Sequence, residues 1–347
     1  MFNKFIQLRG LWTLAFLLLI TPGLSQACSV CGCGDPLASS GNSHPIADSW
    51  RLDFEDTYLT ASALGDAPGS NQWESLRQTN LNTTLSYAPT NDLTLVVMVP
   101  LVQKYWSLDE GPGHIDAGAG SPQNIADTGS PFGIGDINVG IRCFFWGETD
   151  FRTKVHQALA FSIGSYLPTG PTNIVSGITG QAIDTHAQLG TGAIGLYAGL
   201  LYHRVWDDFT LSANANVVYH TQALTSNTSA PVYEYTFGTS YTGGISGQLK
   251  VADTIALSLA VEGRYTDPDT EPNPNDSNPD GSTTAGQTTW FTPNTGGTVI
   301  DLSPTVYWNA TGSAILYGKV QIPTITNFIG QQTLGPTYIF GTQFLMN

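Results

Sequence analysis

Two consecutive segments in the middle of the chain alternate apolar residues with polar or small ones. In FGIGDINVGIRCFFW, residues 132–146, every second side chain from Ile137 to Phe145 is apolar. After the short connection GETDFRTK, the pattern repeats in VHQALAFSIGSYLP, residues 155–168. Alternation with a period of two is typical of a β-strand that has one apolar and one polar face. The two segments therefore predict a hairpin whose apolar face meets either a protein core or lipid.

The same pattern recurs from residue 49 to the C-terminus and predicts about twelve strands in an all-β chain. One of these strands is predicted from Tyr235 to Leu249, with Tyr235 and Phe237 on its apolar face. The segment 93–106 is apolar on both faces, so its sequence does not indicate which face points inward. Glycine supplies 38 of the 347 residues and only 11% are charged, a composition poor in helix formers.

The connections between the predicted strands alternate between short turns and long loops. Outer-membrane barrels show this asymmetry, with short periplasmic turns and longer external loops. A soluble sandwich or propeller is the alternative, but strands of ten or more residues and Ser-, Thr-, Asn- and Gly-rich polar faces argue against it. The sequence therefore predicts a transmembrane up-and-down antiparallel β-barrel of about 12 strands over residues 49–347. Four tryptophans near predicted strand ends also argue against a soluble fold: Trp50, Trp106, Trp146 and Trp308.

The first 27 residues have the features of an export signal. Lys4 and Arg9 precede a largely apolar run of ten residues, 11–20, and the small-residue sequence SQA follows before Cys28. A membrane-spanning helix needs about 20 residues, so this run is too short to be one. Residues 1–27 are therefore predicted to be a signal peptide that directs the chain to the outer membrane of a Gram-negative-type envelope. Acylation of Cys28 is the weaker alternative, because SQA fits a lipid box poorly.

A cysteine cluster, CSVCGCGDP, opens the predicted mature chain. Cys28, Cys31 and Cys33 place three sulfurs within six residues, and His44 follows as a further ligand candidate. Three thiolates with an imidazole suit zinc, and thiolates alone suit Cu(I). A disulfide is the alternative in the oxidising periplasm. The segment 28–48 is predicted to lie in the periplasm or to plug the lumen.

If the apolar faces contact lipid, the polar faces line a lumen. These polar faces carry charged residues of both signs. Such residues either select solutes by charge and width or form ion pairs with a structural role. The candidates are Arg51, Asp53, Glu55, Asp136, Arg142, Glu262, Arg264, Asp301 and Lys319. The formal charge of −15 argues against a nucleic-acid partner, so the expected partners are the lipid bilayer and a small-molecule solute.

Six segments in order along the chain carry a family resemblance: GIGDINVGIRCFFW, FSIGSYLPTG, QLGTG, GGTVIDLSPTVYW, YGKVQIPT and IGQQTLGPTYIFGTQF. From about Trp50 to the C-terminus the chain resembles the outer-membrane barrel transporters of meta-pathway phenol degradation, which are related to long-chain fatty-acid channels. The resemblance implies a channel for small, often apolar or aromatic molecules and supplies no substrate. The chain departs from the family in its cysteine cluster and in its last residues, FLMN.

Two other functions compete with a channel. The barrel could be a structural part of a metal- or electron-handling envelope assembly, with the cysteine segment contacting a periplasmic partner. A barrel enzyme is the third hypothesis, because His156 and His220 lie on predicted polar faces. The sequence contains no GxSxG, HExxH or P-loop motif, so no enzymatic activity is expected.

Overall fold

The computed structural model describes residues 45–64, 72–110, 127–150, 155–178, 180, 183, 185–221, 223–225, 233–272, 289–291 and 295–346. The predicted signal peptide and the ligand candidates Cys28, Cys31, Cys33 and His44 lie outside the described residues. Among the residues described, no helix is both long and apolar enough to cross a membrane.

Twelve long strands, here β1 to β12, form one closed antiparallel sheet. Each strand pairs with the next along the chain, and β12 returns to pair with β1. The strands are β1 Ser49–Leu64, β2 Gln72–Ala88, β3 Leu93–Glu110, β4 Ile137–Asp150, β5 Val155–Leu167, β6 Gly195–Val205, β7 Phe209–His220, β8 Ser240–Ala252, β9 Ile255–Thr266, β10 Gly297–Thr311, β11 Ala314–Phe328 and β12 Thr337–Met346. The predicted twelve-stranded up-and-down barrel is thereby confirmed.

The seam between the first and last strands closes the barrel. Its register runs from Trp50 opposite Met346 to Tyr58 opposite Tyr338. Because β1 also pairs with β2 along its whole length, neither of its edges is left open. A sheet in lipid must satisfy its backbone hydrogen bonds internally, and closure achieves this.

Exposure alternates along the strands and identifies the outer face. Large apolar side chains such as Phe54, Leu85, Val97, Ile141 and Phe161 are exposed, whereas their neighbours in sequence point inward and are mostly buried. An apolar surface that runs around the whole barrel is suited to lipid and not to water. Cys143 belongs to this outer face and is a free thiol.

Aromatic side chains mark the short-turn end of the barrel. Trp50 stacks on Tyr87 with ring centroids 4.5 Å apart, and Trp146 and Trp308 are exposed near the same end. Trp106 also lies near a strand end, as predicted, but at the long-loop end of β3 and outside this girdle. It is only 7% exposed and points into the barrel from β3, because the apolar inner face of this strand meets an inward-folded loop described below.

The strand predicted from Tyr235 to Leu249 begins later in the structure than in the prediction. The barrel strand β8 begins at Ser240, and its outward residues include Tyr241, Ile245 and Leu249. Tyr235 and Phe237 precede it and are buried together in a cluster at the long-loop end. The alternating aromatic pattern therefore begins before the barrel strand, in residues that pack in the cluster at the long-loop end.

Short elements decorate the long-loop end, which faces outside in outer-membrane barrels. Between β3 and β4 the pairing shifts at Gly135 and Asp136, since Leu101 lies opposite Ile134 but Met98 lies opposite Asn138. The other short elements are the strands Asp127–Gly129, Phe132–Ile134, Ala223–Thr225, Tyr233–Tyr235, Thr270–Pro272, Thr289–Phe291 and Gln332–Leu334, and one 3-10 turn, Thr185–Ala187.

Candidate functional site

One side of the barrel interior collects most of the predicted charged residues. We call it the charged wall, and its strands β9, β10, β11, β12 and β1 are neighbours in the sheet. Its charged residues are Arg51, Asp53 and Glu55 on β1, Glu262 and Arg264 on β9, Asp301 on β10 and Lys319 on β11. Acids and bases face each other across these strands, so the wall is a mixed-charge surface.

Glu262 is the centre of the charged wall. Lys319 Nζ lies 2.7 Å from Glu262 Oε1, and Gln321 Nε2 donates to Oε2 over 2.9 Å. The Ser303 hydroxyl donates to the same Oε2 at 2.5 Å. Three donors from two adjacent strands therefore hold this carboxylate in one place.

Glu55 and Asp53 are held in the same way on β1, at the other edge of the charged wall. The Tyr317 hydroxyl donates to Glu55 Oε2 over 2.7 Å, and Gln343 Nε2 donates to Asp53 Oδ1 over 2.7 Å. Tyr317 lies against the backbone of Gly341, where a Cβ atom would collide with its ring. The missing side chain at Gly341 thus lets the tyrosine lie along the wall and reach Glu55.

Lys319 is surrounded by acidic groups. Besides its contact with Glu262, its charge acts on Glu55 and Asp301. Asp301 lies opposite Glu262 in the β9–β10 ladder, and Arg264 is the other base whose charge acts on it. One amine therefore balances part of the charge of three carboxylates.

The opposite side of the interior is apolar and aromatic. We call it the apolar flank, a buried cluster formed by Val96, Met98, Tyr166, Tyr197 and Val218. These five residues come from β3, β5, β6 and β7. The interior is therefore two-sided, with apolar groups facing a charged wall.

Tyr197 lies flat on the barrel wall because two glycines leave room for it. A Cβ atom at Gly140 would collide with its hydroxyl, and a Cβ atom at Gly164 would collide with its ring. Gly140 and Gly164 are directly paired in the β4–β5 ladder. The glycine pair thus fixes how far the tyrosine extends toward the centre of the barrel.

The long connection after β5 folds into the mouth of the barrel. We call residues 168–194 the inner loop and refer to its described part. Ile183 and Ala187 pack against Leu76 and Trp106, which point inward from β2 and β3. The Lys104 amine donates to the carbonyl oxygens of His186 and Gln188 over 2.6 Å each. The loop therefore narrows the long-loop end of the lumen.

Asp136, one of the predicted lumen charges, anchors this loop. Its Oδ1 accepts from the Gly170 amide at 3.0 Å, and its Oδ2 accepts from the amide and hydroxyl of Thr191 at 2.7 Å each. The pairing shift beside Asp136 leaves its carboxylate free to reach both ends of the inner loop. Asp136 is thus engaged in loop contacts at the barrel wall.

A polar cluster ties the inner loop to two other long-loop segments. His186 Nε2 lies 2.8 Å from Asp269 Oδ2, and the Tyr235 hydroxyl donates to that same oxygen over 2.6 Å. The Gly238 amide donates to Asp269 Oδ1, again at 2.6 Å. Three connections therefore meet at one buried carboxylate.

The remaining predicted residues occupy other parts of the interior. Arg142 is buried and points inward from β4, away from the charged wall. His156 and His220 also point inward, and the ring of His156 lies 5.4 Å from that of His203. In the part of the chain that the structure describes, no three His, Cys, Asp or Glu side chains converge on a metal position. Lys104, His186, Tyr235 and Asp269 were not predicted as site residues.

A closed antiparallel barrel with an apolar exterior and a polar interior is a transmembrane barrel of the outer-membrane type. Its fold is similar to that of an outer-membrane channel from Pseudomonas putida F1, with a TM-score of 0.58 and 12% identity, covering 94% of this chain and 100% of that chain.

Two further solved structures are less similar. The deltaS2 mutant of the TodX monoaromatic hydrocarbon channel has a TM-score of 0.43 and 8% identity, covering 87% of this chain and 91% of that one. The translocator domain of the autotransporter NalP from Neisseria meningitidis has a TM-score of 0.42 and 11% identity, with coverages of 89% and 92%. No family model and no curated protein matches the chain.

Proposed function

We propose that the barrel is an outer-membrane channel through which small apolar or aromatic molecules pass. The apolar flank carries this proposal, because the apolar surface of a solute is stabilised by leaving water for aromatic and aliphatic side chains. The fold shared with the Pseudomonas putida channel and the sequence resemblance to barrel transporters support it. No catalytic step is assigned to the barrel.

The two-sided interior suits a solute with one apolar face. Burying the apolar face of the solute against Met98 and Tyr166 lowers its free energy. The charged wall keeps the opposite face of the solute hydrated. Weak, distributed contacts of this kind allow entry without trapping the solute. The inner loop, held by Lys104, sets the width at the outer mouth.

Uptake by whole cells tests the proposal. Cells with an intact outer membrane are expected to take up toluene severalfold faster when they carry the barrel than when they lack it. Met98→Glu places a charge in the apolar flank and is expected to lower this uptake about tenfold, since an apolar site accommodates a charge poorly.

The matched control adds the same charge to the opposite side. Thr305→Glu lies inward on β10, within the charged wall and directly opposite Lys319, which can pair with the added carboxylate, so toluene uptake is expected to stay within about twofold of wild type. Heat-modifiable migration in gels checks that both variants form barrels. Equal toluene uptake with and without the barrel would contradict the proposed function.

We propose also that residues 1–27 direct export and that the segment 28–48 lies on the periplasmic side or in the lumen. Cys28, Cys31, Cys33 and His44 would hold zinc or copper there, and docking of a periplasmic partner through this segment is the alternative function. Stoichiometric metal in the purified protein, lost in a variant with all three cysteines changed to serine, is the expected result. Absence of metal together with two missing thiols would indicate a disulfide instead.

A further inference from the structure

A row of polar side chains crosses the outer face of the barrel at its short-turn end. Glu148 on β4 lies opposite Gln157 on β5, and Gln157 lies opposite Arg204 on β6. These side chains point away from the lumen, because their neighbours Ala158 and His203 are buried inside the barrel at 0% and 1% exposure. We call Glu148, Gln157 and Arg204 the outer polar row.

The outer polar row lies at the boundary of the membrane. The next row toward the membrane centre consists of Trp146, Leu159 and Tyr202, which pair across the same three strands. Aromatic side chains of outer-membrane barrels form girdles at the interface between hydrocarbon and headgroups. Two residues of a strand span about 7 Å, so the outer polar row lies beyond this aromatic level, at the depth of the lipid headgroups.

Arg204 is held in position without an acidic partner. It is partly exposed, and its guanidinium carbon Cζ lies 4.9 Å from the ring centroid of Trp206. In the part of the chain that the structure describes, Arg204 makes no ion pair and no side-chain hydrogen bond. A cation–π contact fixes the guanidinium but satisfies none of its N–H donors. A permanent positive charge at the lipid boundary therefore favours an anionic group supplied by a lipid.

Glu148 places an acid at the other end of the row. It is exposed, and its Oε2 accepts from Gln157 Nε2 at 3.2 Å. Gln157 Oε1 accepts in turn from the Tyr202 hydroxyl at 3.3 Å, so Gln157 connects the acid to the aromatic row. Neighbouring strands are about 4.8 Å apart, which separates Glu148 from Arg204 by about 10 Å at the backbone, a gap that two long side chains narrow. An acid and a base at this spacing match a headgroup that carries one anionic and one cationic group.

We propose that the outer polar row binds the phosphoethanolamine headgroup of a phospholipid in the periplasmic leaflet of the outer membrane. The planar guanidinium of Arg204 donates to the phosphate, and the Glu148 carboxylate accepts from the ammonium group. Asp207 and Asp208, exposed in the turn after β6, add negative charge farther from the membrane centre. This charge disfavours a purely anionic headgroup and favours one that ends in a cation. The site lies on the lipid-facing surface and does not depend on which solute passes through the lumen.

Native mass spectrometry of the purified full-length barrel tests the assignment. The barrel is released from micelles that contain equal amounts of dioleoyl phosphatidylethanolamine and dioleoyl phosphatidylglycerol, which share acyl chains and phosphate but differ in the ammonium group. Wild type is expected to carry bound phosphatidylethanolamine about fivefold more often than Arg204→Gln, the effect of one basic residue at a lipid surface. Arg204→Lys keeps the charge but lacks the planar fork, so its occupancy is expected to lie between the two.

Two further variants separate recognition of the amine from general lipid binding. Glu148→Gln is expected to lower the ratio of bound phosphatidylethanolamine to phosphatidylglycerol about threefold, the effect of one exposed ion pair. The matched control is Arg77→Gln. Arg77 is an exposed arginine on the outer face at the long-loop end of β2, opposite Tyr105, and its replacement is expected to leave phosphatidylethanolamine occupancy unchanged. Heat-modifiable migration in gels checks that every variant forms a barrel.

The proposal fails if Arg204→Gln carries as much phosphatidylethanolamine as wild type, or if wild type prefers phosphatidylglycerol. An unchanged lipid ratio in Glu148→Gln would also contradict it, because the phosphate alone would then account for binding. An equal loss of phosphatidylethanolamine in Arg77→Gln would mean that arginines on the outer face attract lipid without a defined site, which would overturn the assignment to the outer polar row.

Discussion

Replacing Lys104 by methionine is expected to open the outer mouth of the barrel. Methionine fills a similar volume but cannot donate to the carbonyl oxygens of His186 and Gln188, which Lys104 contacts at 2.6 Å each. Hydrogen bonds from a charged donor contribute about 1.5–3 kcal/mol each, so losing two of them raises the open population of the inner loop at least about a hundredfold. Single-channel conductance in planar bilayers is therefore expected to rise.

The matched control is Lys250→Met. Lys250 is exposed at the short-turn end and contacts Asp253 there, far from the inner loop. Its replacement removes the same charge from the chain and is expected to leave the conductance unchanged. Hydrogen exchange supplies a second measurement, since the amides of residues 185–191 are expected to exchange faster only in Lys104→Met. Unchanged exchange and conductance would mean that Asp136 and the His186 cluster hold the loop without Lys104.

The barrel could be predicted because alternation forces side chains onto opposite faces. A strand such as β4 has one register in which Ile137, Ile141 and Phe145 all meet lipid, and a shift by one residue would expose Arg142 instead. The alternation of turn and loop lengths then fixed the antiparallel order. Both signals are local, which is why they can be read from the sequence.

The strand β3 could not be oriented from its sequence. Val96 and Met98 point inward and Val97 points outward, yet all three are apolar. Period-two analysis assumes a polar interior, and this barrel has an apolar flank on that side. The failure of the pattern at β3 was therefore itself a sign of the apolar flank.

The inner loop and its contacts could not be predicted either. Lys104 bonds to backbone carbonyls more than eighty positions away, and any residue could supply such a carbonyl. Tyr235 and Phe237 continue an alternating aromatic pattern, although they pack near His186 and not against lipid. Contacts of this kind depend on how the chain returns over the barrel mouth, which leaves no local signal.

Replacing Lys319 by methionine is expected to make the lumen more selective for cations. Lys319 lies 2.7 Å from Glu262, and its charge also acts on Glu55 and Asp301. Without it the three carboxylates attract cations more strongly. One unit charge at about 5 Å in water changes the energies of a cation and an anion by about 0.8 kcal/mol in opposite directions, about fourfold each, so the cation-to-anion permeability ratio should rise about 15-fold. Reversal potentials in a salt gradient measure this ratio.

The companion variant Glu262→Gln separates charge from packing. It keeps the shape of the side chain that contacts Ser303 and Gln321 but leaves Lys319 without its closest acid, so the permeability ratio is expected to fall. The double variant removes both charges and is expected to return close to the wild-type ratio. Because salt screens charges in an aqueous lumen, the differences of both single variants from wild type should shrink between 0.1 M and 1 M salt, where the Debye length falls from about 10 Å to about 3 Å. A ratio that is the same in all four proteins at 0.1 M salt would place the path of ions away from the charged wall.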